Sequence, residues 1–241
     1  MKNKICYVSL LPVYLPILMV LLLITVGWSR TVTVISANAP ISERTIVIID
    51  AGHGGVDGGA TSCSGVLESN INLEIALKLE AVMNLLGMKT VMIRTTDESV
   101  YTSGETIAEK KVSDIKERVR VVNHTEKAIL VSIHQNYFSE SKYNGAQVFY
   151  SPTDGSMELA KQLQASFIAT LNPGSKRQSK KADKIYLLQH IHTPGVLIEC
   201  GFISNPQEEN LLRSHDYQNK LCSVIAGTCS NYLFQNKNAP S

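Results

Sequence analysis

Residues that could bind a metal ion or move protons follow three separate apolar runs of this sequence. His53 comes just after the first run, His134 ends "ILVSIH", and Glu199 ends "GVLIE". Two imidazoles and one carboxylate form the ligand set of a catalytic zinc that keeps a coordination position open. Glu68 in "GVLESN", just before the first predicted helix, is a fourth candidate, and such a site also needs one further carboxylate as general base. Their sequence separations are too long for a short metal-binding motif, so spacing alone does not assign their roles.

A glycine-rich stretch surrounds His53. In "VIIDAGHGGVDGGA", residues 47–60, five glycines occupy positions 52–59. A dinucleotide fingerprint fails because Asp57 stands where its third glycine should be, and a P-loop fails because Ala60, not lysine, follows Gly59. Glycine permits positive φ angles and close backbone approach. The stretch therefore predicts a tight turn that presents His53 and leaves room for a chain-like substrate.

The elements that carry these residues must bring them to one edge of a sheet. β-Branched and apolar runs predict strands at Thr45–Asp50, Lys89–Thr95, Ala128–His134, Ala146–Tyr150, Ile185–Gln189 and Val196–Glu199. Amphipathic spacing predicts helices at Asn70–Leu86, Asp114–Asn123, Gly155–Leu171 and Asp216–Leu233. Polar composition predicts loops at Glu98–Val112 and 174–184. The alternation predicts a single α/β domain with a mostly parallel twisted sheet of about six strands and helices on both faces. In such sheets, sites form beyond the carboxyl ends of the strands.

The N-terminal segment reads as an export signal. Lys2 and Lys4 precede an apolar run from about Val8 to Trp28, so residues 1–28 are predicted to be a signal peptide or a membrane anchor. Residues 29–44 are small, polar and β-branched and are predicted to be a linker. The catalytic domain is then expected to span residues 45–235.

Charge and cysteine content exclude two classes of protein. Three of the 23 basic residues lie in the first 39 positions, which leaves 20 against 21 acidic residues in the rest of the chain. That balance argues against nucleic acid as the main partner. The five cysteines form no C-x-x-C pair and are an odd count, so buried free thiols are expected rather than a disulfide scaffold.

Six blocks stand in order along the chain from about residue 45 to 233. They are "IIDAGHGGVDGGA", "LESNINLEIA", "MIRTTD", "ERVRVVN", "SIHQN" and "GVLIECGFISNP". Together they resemble the successive motifs of the zinc-dependent N-acetylmuramoyl-L-alanine amidases of the third amidase class. The extended loop after "MIRTTD" and the sequences "NGAQVFYS" and "IYLLQ" are most similar to the germination-specific branch found in spore-forming bacteria.

The resemblance implies one Zn²⁺ ion held by His53, Glu68 and His134, with Glu199 as the catalytic carboxylate. It implies hydrolysis of the amide between the lactyl group of N-acetylmuramic acid and L-alanine in peptidoglycan. Glu74 is a rival third ligand, but it lies about 240° around the predicted helix from Glu68, so both cannot face one metal. The family pattern favours Glu68.

Some neighbouring residues have candidate supporting roles. Asn136, two residues after His134, could contact substrate amides. Asp50 is expected either to orient a ligand imidazole or to cap the glycine loop. Arg94 and Arg118 are expected to brace the sheet edge and a helix.

Other reactive or charged residues are assigned to the surroundings of the site. The basic loop at 174–184 could meet stem-peptide carboxylates, although a solvated loop is the favoured interpretation. Cys200 alternates to the opposite face of its strand from Glu199 and is not expected to be a nucleophile. The remaining histidines are expected to be structural or surface residues; they are His124, His190, His192 and His215.

The spore branch implies a role in cortex synthesis, where peptide removal is the first step towards the muramic-δ-lactam needed for germination. The expected location is outside the cytoplasmic membrane, in the cell wall or forespore envelope, as a secreted or membrane-anchored protein. An exported accessory protein is a further expected partner. Two alternatives stay open: a zinc peptidase of other specificity, and a wall-binding protein with an inactive site.

Overall fold

The computed structural model of the protein describes residues 45–237. The strands are β1 (Ile46–Ala51), β2 (Lys89–Met92), β3 (Ala128–Asn136), β4 (Gln147–Tyr150), β5 (Lys180–Lys181) and β6 (Gly195–Phe202). The helices are α1 (Glu68–Leu85), α2 (Ile107–His124), α3 (Ser156–Thr170), α4 (Tyr186–His190), α5 (Pro206–Leu212) and α6 (His215–Lys237).

The strands form one sheet in the order β2-β1-β3-β6-β4-β5. β2, β1, β3 and β6 run parallel to one another. β4 is antiparallel to β6, and β5 is parallel to β4. The carboxyl ends of β1, β3 and β6 therefore lie at one edge of the sheet, as the predicted fold requires.

Apolar side chains cover both faces of this sheet. Along β3, Val131 belongs to the cluster that packs under α1, α3 and α6. Its neighbour Leu130 points the other way, into the cluster that packs under α2 and α4. Because successive strand residues face opposite sides, both faces are buried, and the predicted α/β architecture with helices on both faces is confirmed.

The predicted strand Ile185–Gln189 is wrong, because these residues enter helix α4. Leu187 and Leu188 are both buried although they are adjacent, which a strand with one buried face cannot achieve. The sheet instead gains β5 from the stretch predicted as a basic loop. Its two exposed lysines carry no apolar signal and pair with β4 through the backbone.

One helix starts earlier than predicted, and another is absent from the prediction. α2 begins at Ile107 rather than Asp114, because Thr106 and Glu109 form a capping box there. The predicted loop Glu98–Val112 is shortened accordingly. α5 was not predicted, although Asn205 caps it and Pro206 occupies its first turn.

The predicted signal or anchor and the predicted linker lie outside the described residues. Within residues 45–237, no helix is both long and apolar enough to cross a membrane. Among the described cysteines, Cys200, Cys222 and Cys229 are buried free thiols as expected, whereas Cys63 is free but exposed.

Two arginines hold the backbone where the chain leaves β1. Arg94 donates to the carbonyl oxygens of Ala51 and Gly52 at 2.8 and 3.1 Å. Arg118 donates to the carbonyl oxygens of Ala51 and His53 at 3.0 and 2.7 Å. These carbonyls would otherwise be buried without strand partners, which is costly. The predicted bracing role of both arginines is confirmed.

Arg118 also pairs with two carboxylates. It is buried and donates to Asp50 and to Asp114. Burial alone would raise the pKa of Asp50, but Arg118 and a hydrogen bond from Ser132 hold that pKa below its usual range. Asp50 therefore serves Arg118 and is not hydrogen-bonded to an imidazole, so it takes neither of the two predicted roles directly.

We expect Arg118→Met to destabilise the domain by about 3–5 kcal/mol, because it leaves the buried Asp50 carboxylate without its cation. Urea unfolding would measure the change. Arg120→Met removes an exposed arginine paired with Glu117 and should cost less than about 1 kcal/mol. Equal losses in the two variants would contradict the anchoring role of Arg118.

Candidate active site

Glu68 lies at the centre of the residues that the sequence singled out. Its Oε1 atom is 2.9 Å from Nδ1 of His134, and its Oε2 atom is 3.3 Å from Nε2 of His53. The same carboxylate accepts hydrogen bonds from the backbone N–H groups of Ala60 and Gln135 at 3.0 and 3.1 Å. One buried side chain thus joins the loop after β1, the start of α1 and the end of β3.

Helix α1 supplies this carboxylate from its first turn. The residue before it, Leu67, makes no side-chain cap, and the amino end of a helix favours negative charge. Burial alone would raise the pKa of Glu68, but hydrogen bonds with His134 and His53 hold it well below its usual range. Glu68 is therefore a carboxylate at neutral pH.

His53 adopts a backbone conformation that is unusual for its residue type. Its φ angle is 61°, in the left-handed region, where a side chain other than glycine is strained. Arg118 holds its carbonyl oxygen, and its imidazole Nδ1 donates to Asp57 Oδ2 at 2.8 Å. Lys111 in turn pairs with Asp57 at 2.7 Å. The turn therefore fixes both the position and the ring orientation of His53.

Asp57 is the functional residue that the sequence interpretation missed. In the sequence, Asp57 only breaks a glycine pattern, and Asp50 is the carboxylate expected to orient a ligand imidazole. An acidic side chain four residues after a histidine within one tight turn was the available signal. The orienting carboxylate comes from the loop itself, because the side chain of Asp50 is turned towards Arg118.

Two glycines leave space for the site's own side chains. A Cβ atom on Gly52 would lie 2.2 Å from Nε2 of His134. A Cβ atom on Gly59 would lie 2.6 Å from Oε2 of Glu68 and 2.8 Å from Cδ2 of His53. The prediction of a tight turn holds. The expectation that the space accommodates a substrate is wrong at these two positions, because protein side chains fill it.

His53, Glu68 and His134 could together hold a metal ion. Their potential ligand atoms all lie within 4.8 Å of one another, and the two imidazole rings meet edge to face at 4.9 Å. Burial alone would lower the pKa of His53, but hydrogen bonds to Asp57 and Glu68 raise it to about 9. A buried carboxylate that accepts from two imidazoles suits a divalent cation, which can replace both N–H donors. Two histidines and one glutamate match a catalytic zinc set.

Glu199 lies beside this cluster. It pairs in register with His134 across the β3–β6 ladder, so the two side chains project from the same face of the sheet. Its Oε2 atom is buried and has no hydrogen-bond partner among the described residues. Burial raises the pKa of Glu199 to about 7. A buried carboxyl oxygen without a partner is costly in a native protein and is typical of a functional position.

His134 and Glu199 were predicted to be the last residues of their strands. The structure continues β3 to Asn136 and β6 to Phe202, with a register irregularity between His134 and Asn136. Asn136 is partly exposed and accepts a backbone hydrogen bond from Ile203 through its carbonyl. It lies at the site edge, and its contact with substrate stays a prediction.

The remaining candidates lie away from the cluster. Glu74 is exposed on α1 and accepts a hydrogen bond from Gln218. Cys200 faces the apolar cluster on the other side of the sheet, and burial raises the pKa of its thiol well above the usual value. His124 and His190 hydrogen-bond to carbonyls one turn earlier in their own helices.

A small cavity of about 150 Å³ opens beside the two imidazoles. The loop after β1 contributes His53 and Asp57 to its wall, and α2 contributes Lys111. The segment Ile185–Leu187 closes the opposite side. Both imidazoles of the cluster therefore border this cavity.

Comparisons with known proteins agree with this geometry. Residues 47–230 match the family model described as N-acetylmuramoyl-L-alanine amidase. The germination-specific N-acetylmuramoyl-L-alanine amidase of Bacillus subtilis is 34% identical over 203 residues, covering 83% of this chain and 84% of that protein.

Solved structures give the same result. The CwlD amidase from Clostridioides difficile, solved in complex with the GerS lipoprotein, superposes with a TM-score of 0.76 and 37% identity, covering 80% of this chain and 100% of that one. The catalytic domain of CwlV from Bacillus (Paenibacillus) polymyxa gives a TM-score of 0.66 and 30% identity, covering 79% of this chain and 98% of that one. The chain belongs to the N-acetylmuramoyl-L-alanine amidase family.

Proposed function

We propose that the protein hydrolyses the amide bond between the lactyl group of N-acetylmuramic acid and L-alanine in peptidoglycan. His53, Glu68 and His134 hold one zinc ion, and Glu199 moves the proton. The observation that carries the proposal is the buried, unpartnered Oε2 atom of Glu199 beside a cluster with the ligand set of a catalytic zinc.

Each residue of the site has a defined task. When bound, zinc in such a set acidifies a water molecule and stabilises negative charge on the carbonyl oxygen under attack. Glu199 accepts the proton of the attacking water and delivers it to the nitrogen of the departing alanine. A buried carboxyl group whose Oε2 atom has no partner among the described residues is free to take up and release that proton. Asp57 keeps the imidazole of His53 in the tautomer that leaves Nε2 free to bind.

Two relatives support a biological setting for this chain. One is named as a germination-specific amidase, and another was solved with a lipoprotein bound. We place this chain in spore cortex synthesis, outside the cytoplasmic membrane, with an exported accessory protein as partner. Residues 1–28 would then be the export signal or anchor, residues 29–44 the linker, and residues 45–235 the catalytic domain.

Glu199→Gln should abolish hydrolysis and retain zinc, because the amide cannot accept a proton and Glu199 is not a ligand. Purified peptidoglycan is incubated with each protein, new amino termini are identified, and zinc is measured by elemental analysis. Wild type should release peptides with N-terminal L-alanine. A different new terminus would support a zinc peptidase, and no cleavage by the zinc-loaded wild type would support a wall-binding protein.

The matched control is Glu126→Gln. Glu126 is an exposed glutamate just before β3, at the amino end of the strand, whereas His134 lies near its carboxyl end. It should cleave peptidoglycan at the rate of the wild type. Hydrolysis by Glu199→Gln at more than about a hundredth of the wild-type rate would reject the assigned role, because general acid–base catalysis contributes about 10²–10⁴-fold.

Alanine at His53, Glu68 or His134 should eliminate stoichiometric zinc binding. Asp57→Asn should weaken zinc affinity by roughly 10–100-fold, because the orienting carboxylate of a ligand imidazole is lost. Glu74→Ala is the control and should bind zinc like the wild type. Competition with a chelator measures these affinities, and circular dichroism verifies folding. Loss of zinc in Glu74→Ala but not in Glu68→Ala would reverse the ligand assignment.

The raised pKa of Glu199 predicts a pH-dependent stability of the metal-free protein. The folded state keeps the proton up to about pH 7, whereas the unfolded state releases it near 4.5. Stability from this group is therefore full below pH 4.5 and is lost as the pH rises to 7. At pH 8, Glu199→Gln should exceed the wild type in unfolding free energy by roughly 2–3 kcal/mol more than it does at pH 4.5. A pH-independent difference in urea unfolding would contradict this.

A further inference from the structure

A second, larger cleft of about 800 Å³ lies between the segments 142–144 and 172–180. Four cationic side chains line it: Lys142, Lys176, Arg177 and Lys180. No aspartate or glutamate is present among its described lining residues. Lys142 pairs with the exposed Glu140, and the other three cations still give the cleft a net positive charge. Acidic residues slightly outnumber basic ones beyond position 39, so this charge runs against the trend of the domain.

Gln147 connects the cleft to the candidate active site. It is the cross-strand neighbour of Glu199 between β4 and β6, and such neighbours have Cα atoms about 5 Å apart. Its side chain donates to the carbonyl of Gln178 at 2.6 Å and accepts from Nη1 of Arg177 at 3.4 Å. Hydrogen bonds therefore link Arg177 and Gln178 of the cleft to Gln147, the strand residue next to Glu199.

One continuous segment, residues 172–187, lines both the cleft and the small cavity. Its first part, with Arg177 and Lys180, lines the cleft. A few residues later, Ile185–Leu187 lines the cavity beside His53 and His134. A ligand held in the cleft would thus lie along the segment that leads to the cluster.

Arg177 is positioned before any ligand arrives. Its Nε and Nη2 atoms donate to the carbonyl of Asn144 at 3.1 and 2.9 Å, and its guanidinium lies 5.1 Å over the ring of Phe202. These partners are uncharged. The nearby carboxylate of Glu208 already accepts from the backbone N–H groups of Gly145 and Phe202. Arg177 therefore keeps charge available for an anion.

We propose that this cleft binds the peptide side of the substrate through its carboxylates. The inference rests on the proposed function, because it assumes an amide that joins a glycan to a peptide. Once the lactyl carboxyl is in that amide, the N-acetylated sugars carry no charge, and the negative charge lies on the peptide. Charge complementarity therefore places the peptide in the cleft and the sugars on the other side of Glu199.

The test compares two probes: a soluble muropeptide with free peptide carboxylates and the same muropeptide with those carboxylates amidated. Binding is measured by calorimetry in the Glu199→Gln background, and KM and kcat in the otherwise wild-type protein. Arg177→Ala should weaken binding and raise KM for the free-carboxylate probe about tenfold, because a charge-assisted hydrogen bond is lost. Its kcat and its behaviour towards the amidated probe should change less than about twofold, and Arg177→Lys should recover part of the affinity.

Lys161→Ala is the matched control, because it removes an exposed cation of α3 away from the cleft. It should leave both probes unaffected. Equal losses on both probes in Arg177→Ala would indicate a structural role and overturn the inference, as would binding equal to that of Lys161→Ala. Charge-dependent binding without release of N-terminal L-alanine by the zinc-loaded wild type would instead reject the proposed function. It would still support the cleft as a site that binds carboxylates.

Discussion

The site depends on how the chain satisfies three consecutive carbonyl groups at the end of β1. The oxygens belong to Ala51, the last residue of the strand, and to Gly52 and His53 just beyond it, and Arg94 and Arg118 donate to all of them. Since each arginine offers several donors in a rigid fork, two side chains can fix a loop that no ladder holds. Arg118 stays charged in this buried position because Asp50 and Asp114 flank it.

That clamp holds one unfavourable feature of the site, and burial within β6 holds another. His53 in the left-handed region and Glu199 with an unpartnered buried oxygen each cost free energy in the folded protein. His53 would not keep this conformation in a loop free to relax, and Glu199 keeps its unpartnered oxygen because it is buried within β6. Glu68 adds the second constraint, because its carboxylate joins three elements at once and holds both imidazoles against it. Charged groups thus hold the strained histidine in place, whereas Glu199 is positioned by its strand.

The sequence predicts those residues of the site that directly follow an apolar run. His53, His134 and Glu199 each follow such a run, so a parallel sheet had to bring them to one edge. Glu68 needed the family resemblance, because a carboxylate at a helix start has no spacing rule that links it to distant strands. Asp57 and the two glycine contacts depend on loop geometry, and β5 pairs through backbone alone, so neither leaves an apolar pattern to find. The predicted strand at Ile185–Gln189 is wrong because short apolar runs are ambiguous between strand and helix.

The reversal of direction at β4 explains why charge gathers beside the cluster. β1, β3 and β6 end at the site edge, whereas β4 runs antiparallel to β6, so Gln147 at its start lies next to Glu199. β5 follows β4 in direction, which brings its start at Lys180 to the same edge. In a fully parallel sheet, the segments that enter these two strands would lie at the opposite edge. Here they meet the segments that leave β1, β3 and β6. One edge therefore carries the cluster of His53, Glu68 and His134 on one side of Glu199 and a cationic cleft on the other.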